Sequence, residues 1–157
     1  MTNRITTSKY FKYKKLKISN KNFIDNLELA FQTWEELNKN KDNVILICYG
    51  YTNHHFALDK NIGWFNNLMG PGKAIDTDKY FTICSNMLGS SFGSTGPKSI
   101  HKKTNNPYGS NFPKITNLDI INTIKLLLVS FEIKKITCTI RLFIWGTLSL
   151  PLGFRVP

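Results

Sequence analysis

The stretch from Gly63 to Pro97 constrains the fold of this chain more than any other part of the sequence. Two loops rich in glycine and proline, 70–72 and 89–97, flank one short apolar run, Tyr80–Cys84. Glycine is used where a backbone takes a positive φ or approaches another group closely. Such loops on both sides of a buried strand favour a shaped site, although two tight turns without chemistry would give the same pattern.

The same stretch contains motifs that are specific to one family. Gly-Pro-Gly-Lys-Ala-Ile-Asp-Thr-Asp-Lys-Tyr-Phe is followed by Ile-Cys-Ser-Asn-Met-Leu-Gly and Gly-Ser-Thr-Gly-Pro. Over residues 27–136 the chain resembles the homoserine O-acetyltransferase family, which are acyltransferases with the α/β-hydrolase fold. The resemblance implies a partial α/β-hydrolase fold, with the N-terminal strands of a mostly parallel sheet and flanking helices. We therefore expect residues 1–140 to form the N-terminal part of this domain.

Apolar periodicity predicts four strands of the sheet. They lie near residues 27–33, 44–48, 80–84 and 136–140. The second is continuously apolar, as expected of a strand covered on both faces of a parallel sheet. The first alternates apolar and other residues, which is the pattern of a half-buried strand.

Three further segments complete the predicted secondary structure. Lys9–Ile18 alternates bulky and basic residues and predicts an exposed strand. Trp64–Met69 could form a short helix. A longer helix is expected to begin at Thr116 or Asn117, with Asp119 in its first turn and apolar residues at helical spacing behind it.

The resemblance also assigns one site residue. The strand ending at Cys48 runs into a loop, and in α/β-hydrolases this loop donates one backbone N–H to the oxyanion hole. By position, the resemblance assigns that donor to the backbone of Tyr51. The family has Cys-His-Ala-Leu-Thr-Gly here, whereas this chain keeps Cys48 and Thr52 but has Tyr-Gly-Tyr between them.

The nucleophile that the resemblance implies is absent from its expected position. In this fold a strand feeds the elbow Gly-x-Ser-x-Gly, and the family has Gly-Gly-Ser-x-Gly-Gly. This chain has Arg-Leu-Phe-Ile-Trp-Gly at 141–146, and Ser149 lacks the flanking glycines. We expect no triad residue in this chain, because the family's Asp and His follow the Ser in chain order.

The resemblance implies substrates but no resident cofactor. A full-length relative would transfer an acetyl group from acetyl-CoA to L-homoserine in methionine biosynthesis, through a serine-bound acyl-enzyme. The matched residues are also compatible with succinyl-CoA as the acyl donor and with L-serine as the acyl acceptor. We expect this chain alone to be inactive. The alternative is a non-catalytic fragment that binds a partner polypeptide, such as a separately encoded C-terminal half. Full-length relatives are expected to be homodimers.

Composition excludes several other classes. The formal net charge is +11, but the lysines are spread among Asn and Ile, and only Lys9–Lys21 resembles a patch that could bind nucleic acid. Nucleic acid is therefore a disfavoured partner. The most apolar segment, Leu142–Leu152, is shorter than the roughly 18 residues of a membrane span. Without an apolar N-terminal run, we expect a cytoplasmic protein with no membrane partner.

The cysteines and histidines do not predict a metal site. Cys48, Cys84 and Cys138 form no Cys-x-x-Cys pair, and each lies at or near an apolar run, which predicts buried reduced thiols. His54 and His55 have no ligand-type residue at a familiar spacing.

The atypical segment 141–157 has an explanation in the genetic code. Trp145 has a single codon, TGG, and a frame shifted forward by one nucleotide must encode glycine there because Gly146 follows. The codons of Arg141, Phe143 and Gly146 can then encode glycine, serine and glycine. The shifted frame is therefore compatible with Gly-x-Ser-x-Gly-Gly in register. We hypothesise that 141–157 is an out-of-frame tail on a truncated acyltransferase; a genuine apolar helix is the alternative.

Sequencing of the coding DNA from Lys134 onward tests this hypothesis. We expect one shifted frame to continue through Gly-x-Ser-x-Gly into a long open reading frame with later Asp and His codons. A frame that ends without such a continuation in any register would contradict the hypothesis.

Overall fold

The computed structural model describes residues 8–50 and 53–141. Five longer strands form one sheet, and two pairs of two-residue strands lie in the loops. The elements, in chain order, are β1 (Lys9–Lys17), β2 (Phe23–Trp34), β3 (Val44–Cys48), β4 (Met69–Gly70), β5 (Ile75–Asp76), β6 (Phe81–Ser85), β7 (Ile100–His101), β8 (Asn106–Pro107), a 3-10 turn (Gly109–Asn111), α1 (Asn117–Ser130) and β9 (Cys138–Arg141).

The main sheet has the strand order β1-β2-β6-β3-β9. β3 pairs in parallel with β6 on one side and with β9 on the other. β1 and β2 are antiparallel to their neighbours. In the described residues the sheet is thus mixed, with a parallel part of three strands. All four strands predicted for the sheet, and the exposed N-terminal strand, are confirmed with small changes at their ends.

The central strands are buried because both faces of the sheet are covered. Every residue of β3 and of β6 is buried. Helix α1 covers one face, where the Phe131 ring, just after the helix, meets Phe31 of β2 and Phe81 of β6, each at 5.7 Å between centroids. Burial on both faces explains why Val44–Cys48 is continuously apolar, since no residue of this strand faces water.

β2 differs from its predicted half-buried pattern. In its second half the even-numbered residues Ala30, Gln32 and Trp34 are buried as well. The loop after β6 runs along β2, where the Asn86 and Thr95 amides donate to the carbonyls of Ala30 and Glu28, both at 2.8 Å, and it covers the Ala30 side chain, since a Cβ at Gly93 would lie 3.2 Å from Ala30 Cβ. A loop far away in sequence therefore covers the side of β2 that the alternating pattern predicts to be exposed to solvent.

Helix α1 begins where its sequence predicts. Thr116 is the N-cap: its hydroxyl accepts from the Asp119 amide, while the Asp119 carboxylate accepts from the Thr116 amide at 2.8 Å. This reciprocal pair is a capping box, which satisfies donors that the helix leaves free. The Asp119 carboxylate also accepts from the amide and the hydroxyl of Ser19, both at 2.8 Å. The cap thus fastens the β1–β2 turn to the helix.

The predicted short helix at Trp64–Met69 is wrong. These residues form turns that lead into β4. The Phe65 amide donates to the Ala57 carbonyl at 2.8 Å, and the Asn66 side chain bonds the backbone of Asp59 in both directions. These contacts to an upstream loop replace the intrahelical bonds. The expected division into 1–140 and 141–157 stays a prediction, because residues 142–157 lie outside the described part.

Removing the Asp119 carboxylate tests the link between helix cap and sheet. We expect Asp119→Ala to lower the free energy of unfolding by about 1–3 kcal/mol, since a cap and bonds to a charged group are lost. Burial raises the pKa of Asp119, but the bonds from Thr116 and Ser19 outweigh it and hold that pKa below its ordinary value of 3.8. The stabilisation is therefore present above pH ~4 and lost as the pH falls through the lower folded-state pKa.

Urea unfolding at several pH values, between 2.5 and 7, measures this effect. Asp119→Asn is the matched control, because it keeps an acceptor of the same shape but cannot titrate. Equal stability and an equal pH profile for wild type and Asp119→Ala would rule out the proposed contribution.

Candidate functional site

The loops that follow the parallel strands meet at one edge of the sheet. β3, β6 and β9 run in the same direction, so Cys48, Ser85 and Arg141 end them on the same side. In doubly wound sheets, ligands bind beyond these carboxyl ends. The loop after β3 and the loop after β6 are therefore the candidate functional site.

A buried carboxamide joins the two loops. Asn86, with 0% of its surface exposed, directly follows β6. Its Oδ1 accepts from the Tyr49 hydroxyl and, at 3.0 Å, from the His55 amide. Its Nδ2 donates to the Phe92 carbonyl. One side chain thus contacts Tyr49 and His55 in the first part of the loop after β3 and Phe92 in the loop after β6.

Tyr49 is the first residue after β3 and packs inward. Its ring meets Trp64 edge-on with 5.8 Å between centroids, and the Trp64 Nε1–H donates to the His54 carbonyl at 2.7 Å. Burial raises the pKa of Tyr49 far above its ordinary range, so its hydroxyl is neutral and donates. The side chain therefore supports the loop and does not act as an acid or base at physiological pH.

The two adjacent histidines have different surroundings. His55 is 1% exposed, and its Nε2 lies 2.7 Å from the Ser8 hydroxyl. His54 packs against the rings of Phe56 and Phe92, with centroids 5.3 and 5.5 Å away. Burial lowers the pKa of both imidazoles, which are neutral at pH 7. Within the described residues, no group of three or more His, Cys, Asp or Glu side chains is arranged to hold a metal ion.

Tyr51, the expected oxyanion donor, lies outside the described residues, so its role stays a prediction. Of the described residues on either side of it, Asn53 donates its amide N–H to the Gly50 carbonyl at 3.2 Å.

The region of the expected nucleophile is described only up to Arg141. β9 ends there, next to Cys48 of β3. The elbow segment after it, with its missing serine, lies outside the described residues. The chain has a second match to Gly-x-Ser-x-Gly at 89–93, which the sequence analysis did not use. An elbow requires a strand that passes directly into a helix, whereas these residues form bends in a loop. Among the described residues, Ser91 has no hydrogen-bonded base.

A cavity of about 330 Å³ lies between the loop after β6 and the start of α1. The side chains of Leu88, Phe92 and Ile120 make it largely apolar. Gly89, with φ +84°, allows the loop to approach the helix, since a Cβ there would lie 2.8 Å from Ile115 Cδ1. The long loop therefore forms a wall at this edge of the sheet.

A larger cleft, of about 730 Å³, lies at the opposite end of the sheet. It is lined by Trp34 and Asp78, among others. Trp34 pairs with Thr82 near the start of β6, and Leu58, Asp59 and Asn66, from the chain after β3, also line this cleft. Its position makes it a poorer site for the chemistry of this fold.

The motifs and the sheet order can be compared with known proteins. No family model matches the chain. A homoserine O-acetyltransferase of Methanobrevibacter ruminantium is 45% identical over 138 residues, which are 85% of this chain and 28% of that protein. This chain is homologous to part of the homoserine O-acetyltransferases. It spans well under half the length of these relatives.

Solved structures of the same fold agree with this homology. A homoserine O-acetyltransferase from Bacillus anthracis matches with a TM-score of 0.80 and 32% identity, over 87% of this chain and 39% of that one. An esterase matches with a TM-score of 0.78 and 32% identity, over 85% and 40%. The expected partial α/β-hydrolase fold is therefore confirmed.

The loop after β3 begins after Cys48, as the sequence predicts, whereas Asn86 was not among the predicted site residues. The available signal was a polar side chain immediately after a buried strand and before a glycine-rich loop. Of the helices in the described ranges, none is long and apolar enough to cross a membrane. The cytoplasmic location stays a prediction.

The expectation of three buried thiols is wrong for one of them. Cys48 and Cys84 are buried, but Cys138 is exposed, since β9 pairs only with β3 in the part of the chain described. Burial, opposed by Arg141, raises the pKa of Cys48 to about 12. Burial and the nearby Cys48 raise the pKa of Cys84 well above its ordinary value. Both thiols are therefore protonated as well as inaccessible.

Titration with a chromogenic disulfide reagent at pH 8 should count one reactive thiol in the folded protein and three after denaturation. Only thiolates attack the reagent, and the two buried thiols are neither ionised nor reachable. Cys138→Ser should abolish the fast phase, whereas Cys84→Ser should leave it intact. A fast phase of two or three thiols would show that β3 and β6 are not buried in solution.

Proposed function

We propose that this chain is the scaffold portion of an acyltransferase of the homoserine O-acetyltransferase type. The observation that carries the proposal is the 45% identity over 85% of the chain to a relative of that name. The parallel strands β6, β3 and β9, with their loops at one edge, provide the matching architecture. The substrates proposed are acetyl-CoA and L-homoserine, in methionine biosynthesis in the cytoplasm.

This chain would contribute to the reaction a hydrogen-bond donor for the oxyanion and part of the wall of the substrate site. The backbone N–H of Tyr51 would donate to the negatively charged oxygen of each tetrahedral intermediate. The loop after β6 would form a wall of the substrate site. The attacking hydroxyl and its histidine base have to come from residues other than the sequence at the elbow, which offers no serine between flanking glycines.

The lack of a serine between flanking glycines at 141–146 decides the level of activity that we propose. Nucleophile, base and acid act as a unit, and the loss of a single member costs orders of magnitude in rate. An oxyanion donor without a nucleophile leaves no covalent pathway. We therefore propose that the 157-residue chain does not catalyse acyl transfer by itself.

A non-catalytic role is the second candidate, and the edge of the sheet favours it. In the described residues, the outer side of β9 pairs with no strand. Unpaired edges of sheets are places where another polypeptide adds a strand. Two apolar side chains of α1, Leu118 and Val129, are also exposed. The partner that we propose is a separate polypeptide that carries the remaining strands and the triad.

An acyl-transfer assay of the purified chain tests the first proposal. With acetyl-CoA and L-homoserine, we expect release of free CoA at the rate of the buffer blank, because no nucleophile stands at the elbow. The Bacillus anthracis enzyme is the positive control, and succinyl-CoA and L-serine are run in parallel. Turnover well above the blank would contradict the proposal. Turnover that appears only when the chain co-purifies with a Gly-x-Ser-x-Gly polypeptide would establish the second candidate.

A further inference from the structure

We propose that Ser8 and His55 form a nucleophile–base pair, in which Ser8 is a site of acylation by activated esters. Ser8 directly precedes β1, and His55 belongs to the loop after β3. Neither residue is part of the sequence at 141–146, where the fold would place its nucleophile. The inference goes beyond the proposed function and does not rest on it, because it concerns a single acylation of the chain and not turnover.

The geometry of the pair is that of a hydroxyl beside a general base. The Ser8 Oγ lies 2.7 Å from the Nε2 of His55, within the roughly 2.6–3.2 Å that separate nucleophile and base in activated pairs. Ser8 is partly exposed, so a small ester can reach its hydroxyl. His55 is 1% exposed, and water is therefore excluded from most of the ring that takes the proton.

The imidazole of His55 is held in position and is neutral. Its backbone amide donates to Asn86 Oδ1 at 3.0 Å, and its ring packs on Phe56 with 4.1 Å between centroids. Burial lowers the pKa of His55, the Asn86 side chain opposes this effect, and the adjacent His54 lowers the pKa further. With its one proton on Nδ1, the neutral ring accepts the Ser8 hydroxyl at Nε2, which is the form that a base requires.

The surroundings of the pair indicate which class of ester it takes. Besides Phe56 on His55, the His54 ring meets Phe56 and Phe92 with centroids 5.3 and 5.5 Å away. Phe92 is 43% exposed, so the aromatic cluster presents an apolar surface to solvent. Aromatic rings pack on such a surface by stacked or edge-on contacts. The class that fits is an ester with a short acyl group and an aromatic leaving group.

The acylation step balances without a further reactant. The Ser8 oxygen forms a bond to the carbonyl carbon of the ester, and the hydroxyl proton passes to Nε2 of His55. The bond from that carbon to the leaving oxygen breaks, and its electron pair leaves with the aryl oxide. The imidazolium then releases its proton to water. Without the base, the reaction would depend on a hydroxyl that is a weak nucleophile near pH 7.

Reaction of the 157-residue chain with p-nitrophenyl acetate at pH 7.5, followed by peptide mapping, tests the proposal. The reference in the same sample is Ser91, an exposed hydroxyl to which no base is bonded in the described part of the chain. We expect Ser8 to be acetylated about 100-fold faster than Ser91, which is the low end of what a general base contributes. Tandem mass spectra distinguish an ester on Ser8 from an acetylated Lys9.

Two variants and a matched control identify the nucleophile and the base. Ser8→Ala should remove the fast acetylation. His55→Gln should slow the acetylation of Ser8 to the rate of Ser91, because an amide can bond the hydroxyl but cannot take its proton. The control is His101→Gln: His101 Nδ1 lies 3.3 Å from the Thr104 hydroxyl at the surface, and its loss should leave the rate at Ser8 unchanged.

The pH dependence of the wild-type chain gives a readout that needs no variant, and it decides the question if His55→Gln does not fold. With His55 as base, the rate of Ser8 acetylation should be level between pH 7 and 8. It should fall as the pH drops through the lowered pKa of His55, below the ordinary 6.5, because a protonated ring cannot accept. A hydroxyl without a base would react as its alkoxide, at a rate that rises about tenfold per pH unit with no plateau.

Three results would overturn the proposal. They are a rate at Ser8 equal to that at Ser91, a rate unchanged in folded His55→Gln, and a rate that follows the hydroxide concentration without a plateau. None of them depends on acetyl-CoA or L-homoserine, so the outcome is independent of the acyl-transfer assay.

Discussion

The parallel pairing of β3 with strands on both sides is the constraint on which the rest of the structure depends. Once β3 is central, its backbone bonds are satisfied on both edges and all of its side chains are buried. Parallel neighbours end on the same side, so their following loops are brought together without any contact between the loops themselves. The candidate site is therefore a consequence of the sheet, and α1 and the loop after β6 complete the two faces.

The polar network at the carboxyl edge follows from this burial. Where β3 and β6 end, their chains leave the hydrogen bonding of the sheet but are still excluded from water. Polar groups in such a place need partners, because an unpaired buried donor or acceptor costs about 1–3 kcal/mol. Asn86 supplies three bonds at this point, and Tyr49, with its neutral hydroxyl, uses one of them. The same bonds that satisfy these buried groups also hold Tyr49 and His55 of the loop after β3 against the end of β6.

Strong local patterns made most of the fold predictable. β3 and β6 follow from uninterrupted apolar runs, and α1 follows from the cap at Thr116 and its helical spacing. The errors arise where distant segments act. The turn at Trp64–Met69 is bonded to residues 57–59, and the second face of β2 is covered by a loop more than fifty residues away. Cys138 is exposed because its strand has one neighbour in the described residues, which no property of its own sequence indicates.

The site was less predictable than the fold for a related reason. The location of the loop after β3 follows from the strand order of the fold, and Tyr51 from resemblance alone. The importance of Asn86 depends on three groups from separate segments that meet only in the folded chain. The glycines around it, by contrast, can be recognised in the sequence. Each permits a positive φ or a close approach of the backbone to another group, as at Gly89 beside Ile115.

In this fold, the sheet and the loops that position a substrate are separate parts from the group that attacks it. The central strand β3 has its backbone paired on both sides, but a stabilised oxyanion needs an attacking group to form it. Precise positioning of a backbone donor gives no rate enhancement without that group. The sequence at 141–146 offers no serine between flanking glycines, so this chain has the scaffold of the fold without the attacking group that the fold places at its elbow.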